Sequence, residues 1–354
     1  MPIPTAFLIN MDRSRDRLRA ATRQLNAAGV PFVRVAAVDG GVVDRSALAT
    51  SGDATGWCTR FCTDGMLGCA LSHIGVWKRV RDDDLPCALV LEDDVELVPG
   101  FASKLRAALR QVPDDYDLLY LGCFGLCSPL SSSSTTDDGG GIGVVDVGAA
   151  SDAAASMAVK PLVIALTFAT SRRRRQRVRL GARVGDGSIF VPVFPSGTHC
   201  YVISAQGAAK LANTRAGFHI DTQLAATPGL NLYACSPPLA SQADMNNSTL
   251  SDYSFPKLPN LLLGRINDSH GISLAYFGSV PFAQLPLGET TVVRMNAWLT
   301  FFLVLGLVAA PPLCVGSYIA AEAVLGGMSV HMAACGVAYT IGYLARAKFS
   351  SSHT

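Results

Sequence analysis

The chain has 354 residues, of which 49% are hydrophobic and 16% charged, with a formal net charge of +2. That length holds one large domain or two ordinary ones, and so small a charge argues against a dedicated nucleic-acid binder. Ten cysteines over such a length are no small disulfide scaffold; Cys58/Cys62 and Cys123/Cys127 are each C-x3-C, without paired zinc spacing.

Met1-Pro-Ile-Pro leads directly into Thr5–Asn10 with no basic n-region, so no secretory signal is expected. Thr5–Asn10 reads as a buried strand. Asp12-Arg-Ser-Arg-Asp-Arg opens a helix with Leu18 and Leu25 on one face, closing at Gly29 before Pro31. Phe32–Val38 is a second strand, ending in Asp39-Gly40-Gly41, which completes a strand–helix–strand unit of parallel, right-handed type. Gly40–Asp64 reads as an irregular loop. Gly65–Arg81 reads as an amphipathic helix, with Met66, Ala70, Ile74 and Trp77 at helical spacing.

Cys87–Val95 organises the rest. Ala88–Leu91 is a short apolar run of the kind that fills a strand buried on both faces, and it ends in Glu92, Asp93 and Asp94. Ligands of open α/β sheets sit outside the carboxyl ends of strands, where this trio falls. Oxygen-rich clusters suit Mg²⁺ or Mn²⁺, which in turn hold substrate phosphates. The bland reading is an acidic turn near the N-terminus of the next helix, about Phe101–Leu109. A strand at Asp117–Gly122 follows, so the first 122 residues alternate β and α as a nucleotide-binding half does.

From Ser128 the pattern breaks. Ser131–Ser134, Gly139–Gly141 and Ala153–Ala155 are of low complexity, and Arg172–Arg179 is a basic run, so 128–188 reads as a disordered insert. A basic run can also bind anionic lipid, RNA or an import receptor, and a retained intron would give the same shift in composition. Order returns with a strand over Ser196–Ser204, a helix over Ala205–Ala212, a short helix after Asp221 and a strand at Leu230–Cys235.

Ala297–Ala321 and Ala323–Ala345 are uncharged runs long enough to cross hydrocarbon, kinked in the first case by Pro311-Pro312. A pair of buried core helices is the alternative; a membrane hairpin is the expectation. Arg294, Arg346 and Lys348 flank it and place the catalytic region on the cytosolic side of an endomembrane or cell membrane. Sequons at Asn246, Asn247 and Asn267 favour a lumenal side instead.

Six stretches in order resemble glycosyltransferase family 25, the lipooligosaccharide and procollagen galactosyltransferase group. They are Phe7-Leu-Ile-Asn-Met-Asp-Arg-Ser with Arg17; Arg34–Gly40; Gly68-Cys-Ala-Leu-Ser-His-Ile with Trp77-Lys78; Leu91-Glu-Asp-Asp-Val95; Gly197–Ser204 with Ile220-Asp221; and the Pro238…Gln242 turn. The resemblance covers roughly residues 4–125 and 188–243. It implies a GT-A-type, Rossmann-like α/β fold, a UDP-galactose or UDP-glucose donor, Mn²⁺ or Mg²⁺, and inversion at the anomeric carbon. The acceptor is a glycan, glycolipid or protein. The domains then read 1–127 for the nucleotide-sugar half, 128–188 for the insert, 189–290 for the acceptor half and 291–354 for the hairpin.

Roles follow from that resemblance. Glu92 and Asp94 are the expected metal ligands, two apart like the acidic pair of a DxD motif. Asp93, turned away on an extended backbone, is left for ribose or the fold. Asn10, Arg13, Arg17 and Asp39 lie where strand ends meet the nucleotide, although the arginines also suit a solvated helix face. Ser72 and His73 approach the diphosphate or simply pack. Asp221 is the expected base, with an N-cap as its alternative role. Trp57 and His199 line the acceptor cleft. Two competing classes remain. A phosphoryl or nucleotidyl transferase should carry a G-x4-G-K-[ST] loop, and the sequence has none. A non-catalytic membrane scaffold would dock through Arg172–Arg179.

Overall fold

The computed structural model describes residues 2–127, 129, 183–184, 186, 188–192, 194–243, 280–286, 292–307, 312–324 and 329–351. The low-complexity and basic stretches of the insert and the three sequons lie outside the described residues. The chain forms two compact units, residues 1–59 with 64–246 and residues 60–63 with 247–354.

The first unit is built on an eight-stranded sheet of order β2-β1-β3-β10-β5-β11-β8-β7. Its strands are β1 (Thr5–Asn10), β2 (Phe32–Ala36), β3 (Cys87–Glu92), β5 (Leu118–Tyr120), β7 (Arg183–Val184), β8 (Ile189–Phe190), β10 (Cys200–Ser204) and β11 (Leu232–Cys235). β4 (Val95–Leu97) pairs with β12 (Ala240–Gln242), and β6 (Phe124–Leu126) with β9 (Phe194–Ser196). The sheet is mixed, because β10 runs antiparallel between β3 and β5; α6 (Ala205–Leu211) and α7 (Ile220–Ala226) follow β10 in the chain. A local periodicity cannot give strand direction, and the alternation of β and α suggests parallel strands throughout.

β1 and β3 read as apolar runs because both their faces are covered. On one face Leu8, Leu89, Leu91, Leu119 and Val202 pack with Leu25 of α1 (Arg15–Ala27) and Leu105 of α5 (Phe101–Gln111). Each such side chain removed from water contributes about 1.5–3 kcal/mol. The register sets Phe7, Val90, Tyr201 and Tyr120 in one row across the opposite face, where α4 (Asp64–Asp82) brings Trp77 against Tyr201.

The stretch expected to be an irregular loop contains two short helices, α2 (Arg45–Ser51) and α3 (Gly56–Phe61). Asp44 caps α2 by accepting from Ser46 N and Ala47 N, and Gly52 closes it in the left-handed region. α4 comes so close to the loop after β2 that a Cβ on Gly68 would lie 2.5 Å from the Val38 carbonyl oxygen. Cys123 is joined to Cys127, and Cys58 and Cys62 are each disulfide-bonded.

In the second unit β13 (Ala283–Pro286) pairs antiparallel with β14 (Val292–Met295). Three helices follow, α8 (Ala297–Leu307), α9 (Pro312–Val324) and α10 (Ser329–Ser351). The expected membrane hairpin finds no support among the described residues. Its first run is divided between helices of 11 and 13 residues. At about 1.5 Å per residue neither spans the ~30 Å of hydrocarbon. Pro312 does more than kink a span, since it starts a new helix, as proline at a first helical position does. Among the described residues no helix is long and apolar enough to cross a membrane. α8 and α10 pack closely at glycines: a Cβ on Gly306 would lie 2.2 Å from the Tyr339 oxygen.

Candidate active site

Strand direction decides where the site lies. β1, β2, β3, β5 and β11 share one direction, so Asn10, the Asp39 loop and Glu92 come to the same edge of the sheet. β10 runs the other way, and its lead-in residues Thr198 and His199 therefore arrive at that edge too. Half of the candidate site follows a strand, and the other half precedes one.

β3 ends at Glu92, and Asp93 and Asp94 turn the chain into β4. A turn abolishes the period of two, so the expectation that Asp93 faces away is corrected. Asp93 and Asp94 share Arg17, whose Nη1 lies 3.4 Å from Asp93 Oδ1 and 3.5 Å from Asp94 Oδ2. Asp93 Oδ2 also accepts from Asn10 Nδ2 at 2.6 Å. Arg34 Nε donates to Asn10 Oδ1 at 2.9 Å, which aims the amide nitrogen at Asp93.

Asp94 Oδ2 accepts from Gln242 Nε2 at 2.9 Å, while Asp94 Oδ1 is buried and accepts nothing from the described residues. Burial, and then the charge of Glu92, push the Asp94 carboxyl up to about 7. Burial also raises Asp93, against the pull of Asn10 and Arg17. Glu92 moves the other way. Burial opposes its charge, but His73 and Thr198 outweigh burial and lower its pKa. Glu92 Oε1 accepts from Thr198 Oγ1 at 2.6 Å and faces His73 Nε2 at 3.3 Å.

α7 (Ile220–Ala226) begins one residue before Asp221, so His219 takes the N-cap position and Asp221 lies in the first turn. Its Oδ2 accepts from Gly197 N at 3.2 Å and its Oδ1 from Thr222 N at 2.6 Å. Gly197 adjoins Thr198, and the charges of both Asp221 and Glu92 act on the Cys69 thiol, which burial chiefly pushes up. The structure thus gathers Glu92, Asp93, Asp94, Asn10, Arg17, His73 and Asp221 at one edge.

Other residues are engaged elsewhere. Ser72 Oγ accepts from Val38 N at 2.8 Å and donates to the Gly68 carbonyl at 2.6 Å, fastening α4 to the β2 loop. Arg13 pairs with Asp39 at the exposed rim. The Gly41 amide first, then Arg13, holds the Asp39 carboxyl below the usual carboxylate range. Trp57 is exposed, with its ring 5.5 Å from that of Phe218. His199 is buried and stacks on Phe124 at 6.0 Å. Sequence reasoning gave no role to Thr198, Tyr201, Gln242 or Arg34, although each falls inside a stretch quoted for the resemblance.

Comparison with known proteins finds relatives for part of the chain. Residues 3–124 match the family model described as glycosyltransferase family 25 (LPS biosynthesis protein), so the resemblance read from the sequence is found over that stretch. Procollagen galactosyltransferase 2 of Mus musculus and that of Homo sapiens are each 34% identical over 125 residues, 33% of this chain and 20% of theirs. Inactive glycosyltransferase 25 family member 3 of Homo sapiens is 31% identical over 125 residues, 33% of this chain and 21% of its own. The matched stretch thus spans about a fifth of the length of these relatives.

Proposed function

We propose that the chain is a metal-dependent, inverting hexosyltransferase that moves galactose or glucose from a UDP-sugar to a hydroxyl of a glycan, glycolipid or protein. The observation that carries this reading is Asp94 Oδ1, a buried carboxylate oxygen with no partner among the described residues, beside two further carboxylates and one arginine. An uncompensated buried carboxylate costs several kcal/mol. A hard divalent cation with oxygen ligands fits that donor set. Glu92 and Asp94 would hold it, and when bound it neutralises charge developing on the leaving diphosphate.

The chain's own residues do the rest. Arg17 and Asn10 fix Asp93, and Gln242 fixes Asp94, so the acidic turn enters catalysis already oriented. Asp221, held by two backbone N–H groups, takes the proton of the acceptor hydroxyl as general base. Inversion requires that base on the face opposite the leaving diphosphate.

The test is UDP release from UDP-galactose and UDP-glucose by the full chain, with and without Mn²⁺, beside Asp94→Asn. Water serves as acceptor, so none need be known. Turnover that depends on metal and is lost in the variant supports the proposal and names the donor. A folded sample that neither turns over nor binds UDP with Mn²⁺ would place this chain functionally with the relative named inactive.

A further inference from the structure

Behind Glu92 lies a line of buried polar groups that the reaction as described does not use. Trp77 Nε1 donates to Tyr201 Oη at 2.8 Å, Tyr201 Oη lies 2.9 Å from His73 Nδ1, and His73 Nε2 lies 3.3 Å from Glu92 Oε1. Trp77, Tyr201 and His73 are almost wholly buried, at 0%, 0% and 1% exposure. Groups so deeply buried are hydrogen-bonded, so each hydrogen needs an acceptor among these groups.

That condition fixes the direction of every bond. An indole N–H only donates, so Tyr201 Oη must accept from Trp77. The phenol hydrogen then has one acceptor in the line, His73 Nδ1. With its lone pair used on Nδ1, a neutral His73 carries its proton on Nε2 and gives it to Glu92 Oε1. The reverse tautomer would leave the phenol hydrogen buried without an acceptor.

We propose that Trp77 and Tyr201 are positioning residues for Glu92: they lock His73 as the Nε2–H tautomer, and His73 with Thr198 pins Oε1. Glu92 Oε2, which takes no hydrogen bond from the described residues, is left directed to the donor side. The same argument disposes of a nearby alternative. Cys69 Sγ, a His73 ring nitrogen and a Glu92 oxygen lie within 4.8 Å of one another, like a soft-metal site. A ligating Nε2 cannot also carry a proton, so this trio holds no metal while the line is intact.

The consequence for catalysis rests on the hexosyltransferase reading, whereas the tautomer does not, so two readouts are used on the full chain. Long-range ¹⁵N–¹H spectra of histidine-labelled protein, with His73 assigned by its loss in His73→Gln, should show Nε2 protonated and Nδ1 bare. Tyr201→Phe removes the donor to Nδ1; Glu92 still accepts from Nε2–H, so the tautomer should persist while the Nδ1 resonance moves to that of a lone pair without a hydrogen bond. Trp77→Phe, which keeps both remaining groups, should leave Nε2 protonated but weaken the Tyr201–Nδ1 bond, read as a smaller shift of the Nδ1 resonance in the same direction, and stands in if Tyr201→Phe fails to fold. UDP release should fall roughly tenfold in either variant, the worth of about one hydrogen bond to a charged group. A His73 protonated on Nδ1 in the unaltered protein would overturn the proposal. So would a Co²⁺–thiolate absorption band that is lost in Cys69→Ser. An intact tautomer pattern without any turnover would instead sink the hexosyltransferase reading and leave the lock standing.

Discussion

Thr198 donates its hydroxyl hydrogen to Glu92 at 2.6 Å, although 106 residues separate them in the chain. The bond joins the end of β3 to the approach of β10, and it is one of two that hold Oε1. Thr198→Val keeps the shape and deletes the donor. A hydrogen bond to a charged group is worth about 1.5–3 kcal/mol, so UDP release should fall on the order of 10- to 100-fold. Near-UV circular dichroism should stay unchanged, and steady-state rates at saturating donor would check it.

Asp94 gives a stability prediction with a definite sign. Its carboxyl titrates at about 7 in the metal-free fold against an ordinary 3.8. Between those values the folded chain binds a proton that the unfolded chain has released, so this group's contribution falls as pH rises toward 7 and is level above. Asp94→Asn carries no such charge. In EDTA its Tm should exceed that of the unaltered protein most above pH 7, and the gain should vanish toward pH 4. Mn²⁺ should raise the Tm of the unaltered protein and not of the variant. Calorimetry across that range measures both.

Arg17 is the cation shared by Asp93 and Asp94, and it is 30% exposed. Replacing it by methionine leaves two buried carboxylates facing each other. Allowing for solvent around the guanidinium, the loss at pH 7.5 should be about 1–2 kcal/mol. Urea titrations should show a smaller loss at pH 5, where the raised Asp94 is protonated in both proteins.

Asp221→Asn keeps one of the two backbone hydrogen bonds, since only its amide oxygen accepts, and removes the base. UDP release should drop about 10²- to 10⁴-fold with little change in the KM for donor. A parallel rise in KM would mean that Asp221 binds the donor instead.

Gly68 and Gly75 lie on the same helix and should respond oppositely to alanine. A Cβ at Gly68 meets the Val38 carbonyl oxygen at 2.5 Å and the Gly40 nitrogen at 2.8 Å, both backbone, whereas one at Gly75 meets nothing within 4 Å. Gly68→Ala should cost about 1–3 kcal/mol or more, and Gly75→Ala should gain up to about 1 kcal/mol through helix propensity. Denaturant midpoints at fixed slope distinguish them.

What could be read in the sequence followed its local regularities. The apolar runs of β1 and β3, the helical spacing of α4 and the acidic cluster at a strand end are short-range patterns, and the structure has them where the spacing puts them. Partnerships across the chain left no such trace. Nothing near Tyr201 says that it meets Trp77, 124 residues away, and nothing near Gln242 says that it reaches Asp94. Alternation ends with the strand at Glu92, so it does not set the direction of Asp93 in the turn that follows. The C-terminal runs had the length of a span, but composition cannot show where a helix ends and another starts.

The placing of β10 bears on how the molecule is made. While the chain is being synthesised, β3 and β5 emerge with no strand to lie between them. Their facing backbone groups find partners only once residues 200–204 arrive, and open strand edges of that kind invite pairing with other chains. Residues 3–124, the stretch that matches the family model, therefore lack the strand that lies between β3 and β5. A ribosome-bound intermediate stalled before Cys200 should need a chaperone, and should be sensitive to protease along β3 and β5 until the missing strand closes the gap.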